Sequence, residues 1–320
     1  MTAKQKVFVL LQEKKGNYLS GEELAGKLRI SRNAVWKAIG ALREEGHKID
    51  AATKRGYCLL EEAGRINEGE ICGALAKDGL ITSVEVLSET ESTNHIAKAL
   101  AVKGVPEGTL VAAKRQSMGK GRLGRSFFSP EGGIYMSAVL RPRIPAQRAV
   151  LITTCAAVAV ARAIEKETGL QAGIKWVNDI FINGKKVCGI LTEAGLDFES
   201  GMPEYVILGI GINVEQQSVP EELKDIVGCL ESFTQEPVAK SRLIAAVWNE
   251  FSALYEQLGD AAYMKEYKER SILLGKEVTV LSADGNYTAI VRDIDAEGHL
   301  IIESDGKIEK LSSGEVSVRI

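Results

Sequence analysis

The sequence predicts a multi-domain α+β protein: a winged helix-turn-helix over residues 1–64, a mixed α/β sandwich over 65–270 and a small β-barrel over 271–320. Three observations lead there. At 320 residues the chain exceeds what one hydrophobic core usually serves. Its apolar period is helical near the N-terminus, mixed in the middle, and tightly alternating after residue 275. Its charge is uneven: residues 1–62 hold twelve Lys/Arg against eight Asp/Glu, a balance of +4, although the whole chain stands at −3. A basic head on an acidic body points to a nucleic-acid-facing N-terminal part.

Within that head, Ser20-Gly-Glu-Glu23 reads as a capping box, with Ser20 as N-cap and Glu23 reaching back to the free amides. It opens a helix over 21–28. After a break at Arg29-Ile30, Ser31 caps a second helix running to about Glu45. Val35, Ile39 and Leu42 recur at i, i+4 and i+7 and form its core stripe, leaving Arg32, Asn33, Trp36 and Lys37 on the other face. Extended pieces at 47–51 and 57–60 flank Thr53-Lys-Arg-Gly56, a basic hairpin tip. Helix, turn, helix, basic hairpin is the winged helix-turn-helix pattern. Ser31, Arg32, Asn33, Trp36 and Lys37 would enter the major groove of double-stranded DNA, with Lys54 and Arg55 on phosphates. The basicity is modest, which favours a dimer presenting two such helices about 34 Å apart on a two-fold site. A solvated helical hairpin whose charges contact nothing is the alternative. Residues 61–70, polar and Gly-bearing, read as a linker.

The composition excludes several classes. No apolar stretch approaches the roughly 20 residues of a membrane span, and nothing resembles a signal peptide, so a cytoplasmic protein without membrane contact is expected. The five cysteines, at 58, 72, 155, 188 and 229, form no CxxC and read as small buried residues of a reducing compartment. Three scattered histidines (His47, His95, His299) leave neither a metal site nor a Ser-His-Asp triad.

The central segment mixes strands at 83–87, 109–114, 134–140, 173–178, 187–192 and 205–214 with helices at 145–168 and 239–267. Short strands in several hairpins, with helices to one side, favour an α+β sandwich over a doubly wound sheet. Between two of these strands runs Gln116-Ser-Met-Gly-Lys-Gly-Arg-Leu-Gly-Arg125. Its Gly119-x-Gly-x-x-Gly124 matches the dinucleotide-binding expression, but that motif needs a helix to start inside it. Here Arg-Ser-Phe-Phe-Ser-Pro-Glu-Gly-Gly follows, which cannot be helical. What survives is a mobile basic loop, its glycines letting amides approach an anion, its Lys120, Arg122 and Arg125 adding charge. A plain surface turn is the alternative.

A hairpin can be drawn residue by residue. Lys175–Ile182 meets 185–193 across Asn183-Gly184, a strong two-residue turn signal. That register sets Phe181 opposite Lys186 and Asp179 opposite Cys188, so that Asp179 and Lys186 share a face as diagonal neighbours. Such a pair is either functional or a surface ion pair worth little.

Five motifs in order, Glu91-Ser-Thr-Asn94, the loop 116–125, Lys175-Trp-Val-Asn-Asp179, Gly184-x-Lys186-x-x-Gly-Ile-Leu-x-Glu193 and Gly209-Ile-Gly-Ile-Asn213, resemble the signature of biotin–protein ligases. With the winged helix and the tail, nearly the whole chain is similar to the bifunctional bacterial type, ligase and biotin-operon repressor together. The resemblance implies that Ser92, Thr93, Asn94 and Gln116 hold the ureido ring of biotin. It implies that Lys120, Gly121, Arg122 and Lys186 serve the carboxylate and phosphate. Gly119, Arg125, Phe127, Lys175, Asn178 and Asn213 fall to the nucleotide end, and Asp179 is a candidate base for the acceptor amine. Lys186, Arg122 and Asp179 are thus the expected catalytic set. ATP with Mg2+ and biotin are the implied substrates, with no prosthetic group and no dedicated metal site. Biotinyl-5'-AMP is implied as both intermediate and corepressor. A biotin carboxyl carrier domain, operator DNA and a second copy of the chain are the implied partners. Lys120 stands where arginine is common and Val177 where proline is usual, the first losing a two-pronged fork.

After residue 275, 278–281, 287–291, 299–302 and 315–319 alternate around Gly-bearing turns, a small barrel that matches the family's SH3-like tail module. Gly314 and Glu315 are expected to touch the central part. Two other readings stand beside the leading one: a ligand-sensing transcription factor without catalysis, and a ligase whose winged helix does not repress. A lipoate ligase fits the loop and the N-terminal part poorly.

Overall fold

The computed structural model describes residues 2–317 apart from 15, 45, 46, 48, 54, 60–64, 197–200, 216–218, 235, 236, 282–284, 313 and 314. The chain divides into two units, Met1–Arg65 and Ile66–Ile320.

The first unit runs α1 (Ala3–Glu13), α2 (Gly21–Leu28), α3 (Arg32–Glu44), β1 (Ile49–Ala52) and β2 (Gly56–Leu59). Helix α1 was not anticipated; it buries Val7, Phe8 and Leu11 against the Val35, Ile39 and Leu42 stripe of α3. Ser20 Oγ accepts from Glu23 N at 3.0 Å and Ser31 Oγ from Ala34 N at 3.1 Å, so both predicted caps form. The Glu23 side chain does not complete the capping box: it takes Lys27 Nζ at 2.9 Å, one helical turn on. Strands β1 and β2 pair antiparallel from Ile49↔Leu59 to Ala52↔Gly56.

The second unit begins with α4 (Glu68–Ala74), β3 (Ser83–Leu87), α5 (Thr93–Val102), β4 (Thr109–Ala113), β5 (Ile134–Leu140) and α6 (Val150–Thr168). It continues through β6 (Gly173–Lys175), β7 (Asp179–Ile182), β8 (Lys185–Leu196), β9 (Pro203–Ile212), α7 (Lys240–Tyr255) and α8 (Met264–Glu269). Part of the expected linker is therefore helix: Asn67 Oδ1 accepts from Glu70 N at 2.9 Å and starts α4. Seven strands form one sheet in the order β3-β4-β5-β9-β8-β7-β6. Only β3 and β4 pair in parallel.

The two faces of this sheet differ. Leu110, Ala112, Met136, Ala138, Ile190, Leu208 and Ile210 project into one core cluster with α6 and α7. Helix α6 is apolar nearly all round because it is nearly enclosed, with Leu151, Ile152 and every residue from Cys155 to Ala161 fully buried. Trp248 of α7, fully buried, donates Nε1 to Met136 Sδ at 3.1 Å. Across the other face run two rows set by register: Ser137↔Gly209↔Leu191, and Tyr135↔Gly211↔Gly189↔Asp179. Helix α5 packs on this face through Ala97 and Ala101 against Val139, Tyr205 and Ile207. Helices thus lie on both faces, not to one side as the sequence suggested, because α5 went unread.

The chain ends in β10 (Glu277–Leu281), β11 (Tyr287–Ile294), β12 (Leu300–Ser304), β13 (Lys307–Leu311) and β14 (Glu315–Ser317), an antiparallel sheet ordered β13-β12-β11-β10-β14. Strand β13 escaped prediction because Lys307 to Lys310 are all exposed, as suits an edge strand, and show no apolar alternation. Val278, Val280, Val291, Leu300 and Ile302 join the same core cluster as α6 and α7. Trp176 Nε1 donates to Gly298 O at 2.9 Å, tying the β11–β12 turn to the segment before β7. The expected contact of Gly314 and Glu315 lies outside the described residues and side chains. No described helix is long and apolar enough to cross a membrane.

Candidate functional site

The second face of the sheet becomes a cleft because its middle rows lack side chains. A Cβ on Gly211 would fall 2.5 Å from Phe127 Cε1, and one on Gly209 would fall 2.0 Å from Asn94 Oδ1. Glycine at these two positions lets the Phe127 ring lie on the sheet and lets the α5 N-terminus come down beside it. The cleft encloses about 160 Å³ and is lined by residues spread between Ser92 and Gly211.

One end of the cleft is polar and uncharged. Ser92 holds the N-cap position of α5 yet its hydroxyl makes no capping bond, and it is buried with Thr93 and Asn94. Thr93 donates its amide at 2.7 Å and its hydroxyl at 3.1 Å to Gln116 Oε1. Gln116 Nε2 donates to Ser129 Oγ at 3.0 Å, and Ser129 Oγ donates to Phe127 O at 2.8 Å. Ser137 Oγ lies 2.7 Å from Thr93 Oγ1 and 2.6 Å from Asn94 Oδ1. Asn94 Nδ2 closes the chain on Glu193 Oε2 at 2.6 Å. Sequence reasoning missed Ser129 and Ser137; the lone serine inside the otherwise apolar Ile134–Leu140 was the available signal for the second.

The other end is charged. Lys120, Arg122, Arg125, Lys175 and Lys186 all line it, and Asp179 is the one carboxylate among the lining residues. Lys186 Nζ stands 2.7 Å from Asp179 Oδ1, although that oxygen has no partner aligned as a hydrogen bond. The expected pair forms, but not by the expected register. Phe181 faces Lys186, whereas Ile180 faces Cys188 and Asp179 faces Gly189. Val187 is the extra residue, a bulge that re-aims Lys186. The predicted single strand at 173–178 is also broken, with β6 and β7 paired to each other around Trp176–Asn178 and the Trp176–Val177 peptide cis. Arg122 Nη1 donates to Asn178 Oδ1 at 3.2 Å, and Asn178 Nδ2 donates to Ile190 O at 2.8 Å.

Two expected residues stand apart from the lining. Asn213 donates its amide to Val187 O at 2.8 Å and lines a separate small cavity with Phe128 and Val219. Gly119 accepts from Phe127 N at 2.8 Å and shapes the loop instead. The loop's amides are also less available than its glycines suggested: Gly121 N donates to Arg125 O at 2.7 Å and Arg125 N to Arg122 O at 3.2 Å. An anion here would meet cationic side chains more than a nest of free amides.

The described residues that line the cleft include no thiol and one phenol, that of Tyr135. Burial pushes the Cys188 thiol and the Tyr135 phenol far up, so both stay protonated. Four of the five cysteines are buried as expected, but Cys72 is exposed. Asp295, Glu297 and His299 lie close together, yet Lys310 Nζ already sits 2.7 Å from Asp295.

In the first unit, Arg32, Asn33, Trp36 and Lys37 are exposed along one side of α3. A groove runs between Arg32, Asn33 and Trp36 and the wing residues Ala51, Ala52, Thr53 and Gly56. Ser31 is used as the helix cap. The Arg55 guanidinium lies 4.0 Å over the Tyr18 ring; Lys54 lies outside the described residues.

Residues 86–213 match the biotin/lipoate A/B protein ligase family, 4–58 a helix-turn-helix (HTH) domain and 273–319 the biotin protein ligase C-terminal domain. The chain is 37% identical to the bifunctional ligase/repressor BirA of Bacillus spizizenii, over 99% of each chain. To that of Escherichia coli it is 30% identical, over 95% of this chain and 94% of the relative. A solved biotin protein ligase from Aquifex aeolicus, in complex with biotin and ATP, covers 74% of this chain and 98% of its own at 30% identity and a TM-score of 0.63. A ligase-type cleft and a helix-turn-helix on one chain, matched end to end by such relatives, show that it belongs to the family of bifunctional biotin protein ligase/repressors.

Proposed function

We propose that the cleft joins biotin to ATP and then passes biotin to a lysine of a carboxyl carrier domain, and that the adenylate governs DNA binding by a dimer. One observation carries this reading: neutral polar groups and five cations, Lys186 among them beside Asp179, line one cleft. Such a site suits a ligand with an uncharged ring, a carboxylate and a phosphate in line.

In the first step a biotin carboxylate oxygen attacks the α-phosphorus of ATP. A P–O bond forms, the bond to the β-phosphate breaks, and pyrophosphate leaves with its cation. In the second step the neutral acceptor amine attacks the acyl carbon, the C–O bond to AMP breaks, and the amine loses a proton. Neither step requires an enzyme nucleophile. Both gain from cations fixed where negative charge gathers, and from holding two anions in contact.

Ser92, Thr93, Asn94 and Gln116 hold the ureido ring. Lys186, Arg122 and Lys120, with Gly121, serve the carboxylate and α-phosphate. Arg125, Phe127, Lys175 and Asn178 serve the nucleotide, with Gly119 and Asn213 acting from behind by shaping the loop and the bulge. Asp179 takes the amine proton. Mg2+ travels with ATP as substrate, since the lining offers one carboxylate and no cage. Residues 1–64 carry the DNA contacts, 65–270 the chemistry, and 271–320 support the ATP side and acceptor docking. The place of action is the cytoplasm.

The test is fluorescence anisotropy of a labelled biotin-operon promoter fragment titrated with the protein, with and without biotin plus MgATP, beside a streptavidin blot of a carrier domain. Carrier labelling together with adenylate-dependent tightening on DNA is the expected result. Labelling without any change on DNA removes the repressor part. DNA binding without labelling removes the catalytic part.

A further inference from the structure

The polar chain in the cleft has a direction, and one of its ends is set by a residue outside the cleft lining. At that end Glu193 accepts from Asn94 Nδ2 at 2.6 Å; an ionised carboxylate can only accept. At the other end the Phe127 carbonyl, also acceptor only, takes the Ser129 proton at 2.8 Å. Working inward from Phe127, Ser129 must accept from Gln116 Nε2, which turns Gln116 Oε1 toward Thr93. Thr93 then donates its hydroxyl to that oxygen and is left as an acceptor. Working inward from Glu193, Asn94 turns Oδ1 toward Ser137. The two directions meet at the fully buried Ser137 hydroxyl, 2.7 Å from Thr93 Oγ1 and 2.6 Å from Asn94 Oδ1. Its single proton serves one of the two acceptors.

Thr93 relieves this when it turns its proton to Ser137, since Gln116 Oε1 keeps the Thr93 amide. So would an Asn94 amide turned over, with Nδ2 donating to Ser137 and the Ser137 proton going to Thr93. Oxygen and NH2 are nearly the same size, so the tight seat over Gly209 does not prevent the turn. The charge-assisted bond to Glu193 does. As these bonds stand, Asn94 and Gln116, both lining the cleft, each have a second amide N–H that the hydrogen-bonded chain does not use.

We propose that Glu193 is a positioning residue for ligand selection. Acting through Asn94, it keeps the cleft presenting amide donors to a urea carbonyl and so excludes ring analogues that present a donor there. This rests on the biotin reading above.

The experiment uses the full-length protein and Glu193→Gln, an isosteric change that can donate as well as accept. Pyrophosphate release is followed with biotin and with 2-iminobiotin, in which a protonated nitrogen replaces the urea oxygen. The biotin KM is expected to rise about ten-fold while kcat and the MgATP KM stay within about two-fold. The preference for biotin over 2-iminobiotin in kcat/KM should narrow by about ten-fold or more. An unchanged preference, whether both substrates suffer equally or neither does, would overturn the proposal. A double-mutant cycle reads the same point if Glu193→Gln lowers the Tm. On an Asn94→Ala background, adding Glu193→Gln should change the biotin KM less than about two-fold, and a multiplied loss would count against action through Asn94. A wild type that forms no adenylate from biotin overturns the reading beneath, a result distinct from either of these.

Discussion

The two faces of the seven-stranded sheet are made by the same strands and differ in what fills them. On one, Leu110, Ala112, Met136, Ala138, Leu208 and Ile210 are closed over by α6 and α7. On the other, Gly189, Gly209 and Gly211 leave room for Phe127 and Asn94 and border the cleft. Alternation along a strand therefore separates two tasks by one residue: in β9, Gly209 and Gly211 border the cleft whereas Leu208 and Ile210 belong to the core. The difference teaches that stability and chemistry are separable here by face, and substitutions on each should report on one and spare the other.

The largest effect is expected on the helix face. Trp248→Ala removes a fully buried indole that meets Phe251 edge-on at 5.6 Å. It should cost about 3–5 kcal/mol, seen in calorimetry as a fall in Tm on the order of 10 °C. Well below that Tm, the biotin and MgATP KM values should stay within about two-fold of wild type if the faces are independent. A large KM change would show that the core sets the cleft's shape.

Lys186→Ala is the mirror image. It should slow adenylate formation by about 10²–10³-fold, as loss of one positioned donor does, and any fall in Tm would report the buried Asp179 Oδ1 left without its cation. A pre-steady-state pyrophosphate burst measures this, and an undiminished burst would take Lys186 out of the chemistry.

These expectations also explain what was legible in the sequence. The helix face announces itself by pattern, since 134–140 and 205–208 are nearly continuous apolar runs and α6 is apolar from Val150 to Ala161 apart from two threonines. The site face could be found only through motifs, because a strand with glycine at every other position carries no amphipathic signal. Asp179 and Lys186 were paired correctly by a register that was itself wrong, since the Val187 bulge leaves no mark in residue types. Helix α5 was missed although its first residues, Thr93 and Asn94, had been singled out; its Ala-rich inward stripe is short and weak. Glu193 appeared in a motif without a role, because its partner Asn94 lies 99 residues away.

A milder substitution tests the site face for its own packing. Gly211→Ala puts a Cβ where the Phe127 ring lies, 2.5 Å away, and overpacking of this kind costs about 1–3 kcal/mol. The ring borders the open cleft, so it should swing outward, and the cost should appear mainly as an MgATP KM raised about ten-fold. The matching change on the helix face, Ala138→Leu, has no such outlet. It should lower the Tm with little effect on KM.

The smallest expected effect probes the place where the faces are tied together. Trp176 lines the cleft, yet its Nε1 donates away from it to Gly298 O in the β11–β12 turn at 2.9 Å. That turn sits against α6, with a Cβ on Gly298 falling 3.4 Å from Thr154. Trp176→Phe keeps most of the aromatic bulk and deletes the donor, leaving a carbonyl without its partner. The loss should be about 1 kcal/mol, measured as a small shift in a urea midpoint. If the tie serves only stability, kcat and both KM values will not change. If instead the MgATP KM rises while the biotin KM stays fixed, the C-terminal sheet reaches the charged end of the cleft through this one bond. The independence of the two faces would then fail at a named residue.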